Sequence, residues 1–349
     1  MPGARIPVEV DDLTPEWFSE VLQRDITRID VLDRHSGTTG RVRLTLFDAA
    51  DLPGHVFVKL PPFDAEQRAF VNAVGMGVTE ARFYRDLAGE VGLRVPESLY
   101  AEFSSEDGYV MVLEDLEASG CRFPAQDDVD IEFRARDIVE QLAGFHARYW
   151  ESDRFAADGD LAWISPKSTG QGDGGATFVR MAVDGYADRL PDEFRPLAEL
   201  YVQRSRDILP LYRQGPRTLV HGDAHLGNLF VDGTRTGFLD WAVIAHAPGI
   251  RDVAYVLCNS IPTEVRRAHE RPLVERYCEL LSRAGITYDF DAAWAQYRLF
   301  CCYAWVAATC TLGMGSKWQP EHIGLAGTTR ATIAATDLGL LELLETKLG

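Results

Sequence analysis

Three side chains set the chemistry open to this chain. In the run HGDAHLGNLF, His221 to Phe230, Asp223 is followed five residues later by Asn228, and Asp240 stands twelve beyond that in FLDW, Phe238 to Trp241. All three fall at the ends of short strand-like segments. Phosphoryl transfer to an alcohol needs this set: one carboxylate accepts the hydroxyl proton, while an amide oxygen and a second carboxylate hold magnesium against the β and γ phosphates. Polar residues at strand ends also solvate turns, which is the ordinary use of a single aspartate. Fixing five residue types at about 5% each over a few hundred start points leaves a chance match of about one in ten thousand, so the chemical reading is favoured.

A metal-dependent hydrolase is the competing class, because His221, Asp223 and His225 alternate as ligands on a strand would. Zinc takes three or four nitrogen, sulfur or carboxylate ligands and gives the glycine and asparagine at fixed places no role.

The same text resembles the aminoglycoside phosphotransferase and choline kinase superfamily, nearest its ecdysteroid-kinase-like branch, from about residue 26 to 345. There H-G-D-x-H-x-x-N is the catalytic loop, and the I/L-D-W or I-D-F that follows holds metal. The resemblance implies an α+β, two-lobed, protein-kinase-like fold: an N-terminal five-stranded antiparallel sheet with one helix, then a mainly helical lobe. Residues 1–116 would be the nucleotide-binding lobe and 117–349 the catalytic and acceptor-binding lobe. Asp223 would be the catalytic base, Asn228 and Asp240 the Mg2+ ligands, and His221 and His225 buttresses of the loop. Asp252, in GIRDVAYVL, would pin that loop from the next helix.

By the same likeness, Lys59 in HVFVKL would bridge to Glu80 at the start of the next helix and reach the α and β phosphates. Glu66 also lies between Lys59 and the fourth strand, so the choice of glutamate stays open. The turn Ser36, Gly37, Thr38, Thr39, Gly40 would fold over the phosphates, although it departs from G-x-G-x-x-G. MVLEDL, Met111 to Leu116, resembles the hinge whose backbone, at Glu114 and Leu116, holds the adenine edge. The resemblance thus implies ATP or GTP as co-substrate and a small-molecule hydroxyl acceptor. A protein kinase is disfavoured, since only eleven residues separate Asp240 from Asp252 and no A-P-E follows. A nucleotide-binding pseudokinase is disfavoured too, because every residue that turnover needs is present.

These residues need elements to position them. Thr14 and Pro15 read as an N-cap and first-turn pair for a short helix with Trp17, Phe18, Val21 and Leu22 on its apolar face. Three strands follow in ITRIDVLDR, RVRLTLF and HVFVKL, a helix runs from about Thr79, and two further strands, ESLYAEF and GYVMVLED, flank the turn SSEDG. DIEFRARDIVEQLAGFHARYW has the period of a long amphipathic helix, in which His146 satisfies a core hydrogen bond. SPKSTGQGDGG, Ser165 to Gly175, reads as a mobile loop. Short strands appear at RTLVHG, NLFVDG and TGFLDW, and the text beyond Gly249 is helical, with Trp294, Tyr297, Phe300, Tyr303 and Trp305 packed inside.

Bulk properties agree. Two lobes sharing a cleft is the expectation for 349 residues, and 46% apolar with 25% charged residues fits a globular core. A net charge of −18 disfavours nucleic acid or an anionic membrane as partner, and it obliges a nucleotide site to bring its own lysine and metal. The six cysteines contain no C-x-x-C and read as reduced thiols. The first residues, MPGARIPVEVDDL, carry no secretion signal, and the longest apolar stretch, Leu299 to Met314, is too short to span a bilayer, so a cytoplasmic protein is expected.

Overall fold

A computed structural model describes residues 5–49, 51–104, 108–164, 173–316 and 318–349. The chain forms two units, Met1–Phe123 with Phe230–Val243, and Pro124–Leu229 with Ile244–Gly349.

In the first unit, Thr14 caps helix α1 (Pro15–Leu22) by accepting the Trp17 N–H at 3.2 Å, as its sequence predicts. Strands β1 (Arg28–Ser36), β2 (Gly40–Phe47) and β3 (His55–Leu60) follow, then helices α2 (Ala65–Val74) and α3 (Met76–Asp86), then β4 (Ser98–Ser104) and β5 (Gly108–Glu114). The strands make one antiparallel sheet in the order β1-β2-β3-β5-β4. Alternation in β2 turns Val42, Leu44 and Leu46 inward, where they meet Val56, Val58, Leu60, Val110, Val112 and the α1 residues Trp17 and Phe18. Residues 105–107 of the SSEDG turn lie outside the described residues.

Two helices, not one, separate β3 from β4. Asp64 caps α2 by accepting the N–H groups of Glu66 and Gln67, and Gly75, left-handed at φ 69°, ends α2 and caps α3. The helix expected from about Thr79 begins at Met76, directly after the Gly75 cap, so Glu80 lies inside α3 rather than at its start.

The second unit opens with α4 (Ile131–Tyr149), α5 (Asp173–Tyr186), α6 (Phe194–Ile208) and β6 (Arg217–Val220). Of the Gly-rich stretch Ser165 to Gly175, residues 165–172 lie outside the described residues, and 173–175 open α5. The chain then returns to the first unit for the hairpin β7 (Leu229–Asp232) and β8 (Arg235–Phe238). Bridges from Arg122 to Val231 and from Arg94 to Gly237 tie that hairpin to earlier residues of its unit.

Back in the second unit come β9 (Ala245–Pro248), α7 (Ile250–Asn259), α8 (Thr263–Arg283), α9 (Phe290–Met314), α10 (Glu321–Asp337) and α11 (Leu340–Leu348). Strand β9 pairs antiparallel with β6 and was not foreseen, because AHAP has neither alternation nor β-branched residues. Helix α7 packs on α9 and α10, and of the five aromatics expected inside, Tyr297, Phe300, Tyr303 and Trp305 of α9 are buried while Trp294 is half-buried. Cys258, Cys278, Cys301 and Cys302 are buried free thiols, whereas Cys121 and Cys310 are half-buried. Among the described residues no helix is long and apolar enough to cross a membrane.

Candidate active site

In the first unit the site grows from strand register. Pairing of β2 with β3 sets Arg41 opposite Lys59. Lys59 is buried, and its ammonium donates to both carboxylate oxygens of Glu80, at 2.6 and 2.5 Å. Glu66 is exposed at the N-terminus of α2, so the partner of Lys59 is Glu80. Burial pushes the Glu80 carboxyl up; the Lys59 charge pulls it down, and Asp240 adds a further upward push. Lys59 Nζ and Arg41 Nη2 each stand 3.8 Å from Asp240 Oδ2.

Asp240 adopts φ 64°, a left-handed conformation that costs a non-glycine residue about 1–3 kcal/mol and gathers at functional positions. Trp241 holds the neighbouring backbone in place: its ring stacks on Phe83 at 4.1 Å and its Nε1 donates to the Phe238 carbonyl at 3.2 Å.

The Ser36 to Gly40 turn joins β1 and β2, with the Gly37 N–H donating to the Thr39 carbonyl. Its hydroxyls have local work: Ser36 Oγ accepts the Phe63 N–H at 2.9 Å, and Thr39 Oγ1 accepts from Arg41 Nε at 3.2 Å. At Gly40 a Cβ would fall 2.5 Å from the Phe63 ring, so close packing within the unit explains that glycine. At the end of β5, Glu114 donates its N–H to the Glu97 carbonyl and pairs its side chain with Arg94 at 2.8 Å, while the Leu116 carbonyl accepts from Cys121.

In the second unit the loop after β6 is held from below by α7. Asp252 is fully buried; its Oδ2 accepts the His221 N–H at 2.6 Å and its Oδ1 the Gly222 N–H at 2.9 Å. Gly222 sits at φ 86°, which lets the chain reverse over that carboxylate. His146 contacts the same Oδ2 through Nε2 at 3.3 Å and Tyr277 through Nδ1 at 2.8 Å, the core role its sequence suggests. Burial alone would raise the Asp252 carboxyl; the His146 hydrogen bond and the charges of His146, Arg251 and His221 outweigh it, and the group lies below the usual carboxylate range.

The Asp223 carboxylate is tied at both oxygens. The Tyr255 hydroxyl donates to Oδ1 at 2.5 Å, and Asn228 Nδ2 donates to Oδ2 and to the Asp223 carbonyl, each at 3.0 Å. This commits the donor end of the Asn228 amide to Asp223 and leaves its oxygen as the end that can take a cation. Tyr255 stays protonated, since burial and then the Asp223 charge raise it well above the ordinary phenol value. His221 and His225 use Nδ1 to accept the N–H groups of Asp223 and Gly227, at 3.2 and 3.0 Å, which turns both rings to shaping the loop.

Lys59, Glu80 and Asp240 thus come together in the first unit, and Asp223 with Asn228 in the second. Sequence reasoning missed Arg41 and Tyr255. Arg41 follows from register, which no single strand reveals, and Tyr255 hides in the apolar text of α7, where it looks like core.

The sequence matches the phosphotransferase enzyme family (APH) over residues 41–300. The chain belongs to that family. This phosphotransferase shares its fold with LicA in complex with AMP, at 15% identity, 94% of this chain and 97% of that chain covered, and a TM-score of 0.54. It is similar to the choline kinase LicA from Streptococcus pneumoniae at 12% identity, covering 92% and 97%, with a TM-score of 0.51. An ethanolamine kinase from Plasmodium vivax aligns at 12% identity over 91% and 83%, with a TM-score of 0.50. No curated protein matches this phosphotransferase in sequence. The superfamily expected from the catalytic loop is therefore the one found; the ecdysteroid-kinase-like branch remains an expectation from likeness alone.

Proposed function

We propose that this phosphotransferase moves the γ-phosphate of ATP or GTP, with Mg2+, to a hydroxyl of a small-molecule acceptor. The observation that carries the reading is the Asp223 carboxylate, fixed at both oxygens by Tyr255 and Asn228 on a loop whose backbone amides are bound by Asp252. Asp223 would align the acceptor hydroxyl and take its proton as the bond to phosphorus forms. A loose transition state asks for little base strength, so orientation outweighs basicity here.

Lys59, held by Glu80, would reach the α and β phosphates, with the Ser36 to Gly40 turn over the triphosphate. Along β5, the Glu114 carbonyl and the Leu116 N–H would receive the adenine or guanine edge. Magnesium would take hard oxygen donors from the Asp240 carboxylate and from the Asn228 amide, whose nitrogen end is engaged by Asp223. When bound, magnesium supplies neutralisation of the triphosphate charge. Residues 1–116 serve the nucleotide and 117–349 catalysis and the acceptor in this scheme. The AMP in the LicA complex is consistent with a nucleotide co-substrate.

The test is acceptor-dependent ADP formation across a library of hydroxylated metabolites and antibiotics, run beside Asp223→Asn. Loss of the base should lower turnover by about 10²- to 10⁴-fold, some 3–5 kcal/mol, with nucleotide affinity retained. Equal activity in the two proteins would remove Asp223 from the role.

A further inference from the structure

The chain carries 53 acidic residues against 35 Lys and Arg, and many of its buried or half-buried arginines meet carboxylates, as Arg43 does Asp115 and Arg266 does Glu270; buried Arg251 instead lies over the Tyr303 ring, and half-buried Arg298 meets the Leu338 carbonyl. Arg330, on α10, is held at two points by neutral groups. It is half-buried, and both of its hydrogen-bond partners are neutral: Nε donates to the Asn259 carbonyl at 2.8 Å and Nη1 to Gln126 Oε1 at 2.9 Å. Among the described residues no carboxylate pairs with it, and Nη2 has no hydrogen-bond partner. Burial draws the guanidinium down to about 10, with no opposing charge to hold it up. With two of its nitrogens held by neutral groups, Arg330 keeps Nη2 and its charge available to an anion.

Its place gives the charge a use. Asn259, which holds Arg330, lies four residues of α7, about 6 Å of helix rise, beyond Tyr255, the residue hydrogen-bonded to Asp223. Burial and the Asp223 charge raise the Tyr255 phenol, and the nearby Asn259 side chain is the one group that pulls it down. Helix α10 comes close at this point because Gly327 lacks a Cβ, which would stand 3.1 Å from Asn259 Oδ1. Within one unit, helix α7 therefore carries both the residue bonded to the proposed base and, four residues on, the carbonyl that holds Arg330.

We propose that Arg330 anchors an oxyanion of the acceptor, a carboxylate or a phosphate, so that the molecule phosphorylated is an anionic alcohol. The planar fork suits either oxyanion, since two parallel N–H groups can meet two oxygens. The assignment rests on the reading of Asp223 as the base, and the experiment separates the two. Thermal shift is measured for the wild type, Arg330→Gln and Arg330→Lys with MgADP alone, and then with MgADP plus inorganic phosphate or plus succinate. MgADP should raise the melting temperature of all three; failure there counts against the kinase reading and not against Arg330.

With MgADP present, at least one oxyanion should stabilise the wild type further, with apparent affinity about tenfold or more weaker in Arg330→Gln and intermediate in Arg330→Lys. No oxyanion response in the wild type, or one that persists in Arg330→Gln, overturns the assignment. Should Arg330→Gln fail to fold, the comparison with Arg330→Lys stands in its place, and an undiminished response there overturns it equally. The acceptor screen gives the second reading: turnover should fall on hydroxy acids or phosphorylated alcohols, and turnover confined to neutral or cationic alcohols refutes the proposal.

Discussion

Replacing Asp252 by Asn tests how the His221–Asn228 loop is held. The two side chains have the same shape, so the change is one of charge and donor pattern. The carboxylate accepts three contacts, His221 N–H and His146 Nε2 at Oδ2 and Gly222 N–H at Oδ1. In the cheaper orientation the amide oxygen keeps the pair at Oδ2, and the new NH2 group faces the Gly222 N–H. One charge-assisted bond of about 1.5–3 kcal/mol is lost, and a buried donor is left facing a donor at about 1–3 kcal/mol, for a total of about 2.5–6 kcal/mol. Urea denaturation reads this as a lower midpoint at unchanged slope.

The pH dependence follows from the same contacts. Asp252 is depressed in the folded protein, so the unfolded chain binds its proton first as pH falls. Its contribution is complete above the ordinary aspartate value of 3.8 and is lost as pH falls below it through the folded value. The difference between wild type and Asp252→Asn should therefore be constant from neutral pH to about pH 5 and shrink below about pH 4. A stability loss under about 1 kcal/mol, or a difference that grows on acidification, would refute the account of the loop.

Two more substitutions probe the site. Lys59→Met strands the fully buried Glu80 carboxylate without its counter-charge and should cost about 3–5 kcal/mol at neutral pH, less as acid protonates Glu80, with most of the loss recovered in Lys59→Met/Glu80→Leu. Chemical denaturation of the single and double variants at two pH values decides it, and equal stability of wild type and Lys59→Met would contradict the pairing. Tyr255→Phe removes the 2.5 Å bond to Asp223 while Asn228 keeps the other oxygen; turnover should fall about 10- to 160-fold, the kinetic equivalent of about 1.5–3 kcal/mol, at unchanged nucleotide affinity. Steady-state kinetics on the first acceptor identified would show this, and unaltered turnover would leave Tyr255 a packing residue.

What the sequence made legible is what local chemistry dictates. The residue types from His221 to Asn228 are fixed by the demands of the loop, and β2 and β5 declare themselves by alternation or by a short apolar run. Asp252 could be placed because it follows the loop in the next helix, and its bonds to two backbone amides bear the placement out. The rest depended on pairing at a distance. Arg41 faces Lys59 through register, and β9 exists because β6 needs a partner, with nothing in AHAP to announce it. Tyr255 occupies a helix position that an apolar side chain would fill equally well by pattern, and only the carboxylate beneath its hydroxyl shows otherwise.

The return of the chain to its first unit at Phe230–Val243 bears on how the protein is born. The ribosome delivers the five strands early, yet Asp240 and the Trp241 ring that stacks on Phe83 arrive only after a further 120 residues. At about 5–20 residues per second that is a wait of about 6–24 seconds, during which Lys59 and Glu80 have found each other but the face of Phe83 stays uncovered. Nascent chains stalled before residue 243 should therefore bind chaperones through this patch, and those released beyond it should not.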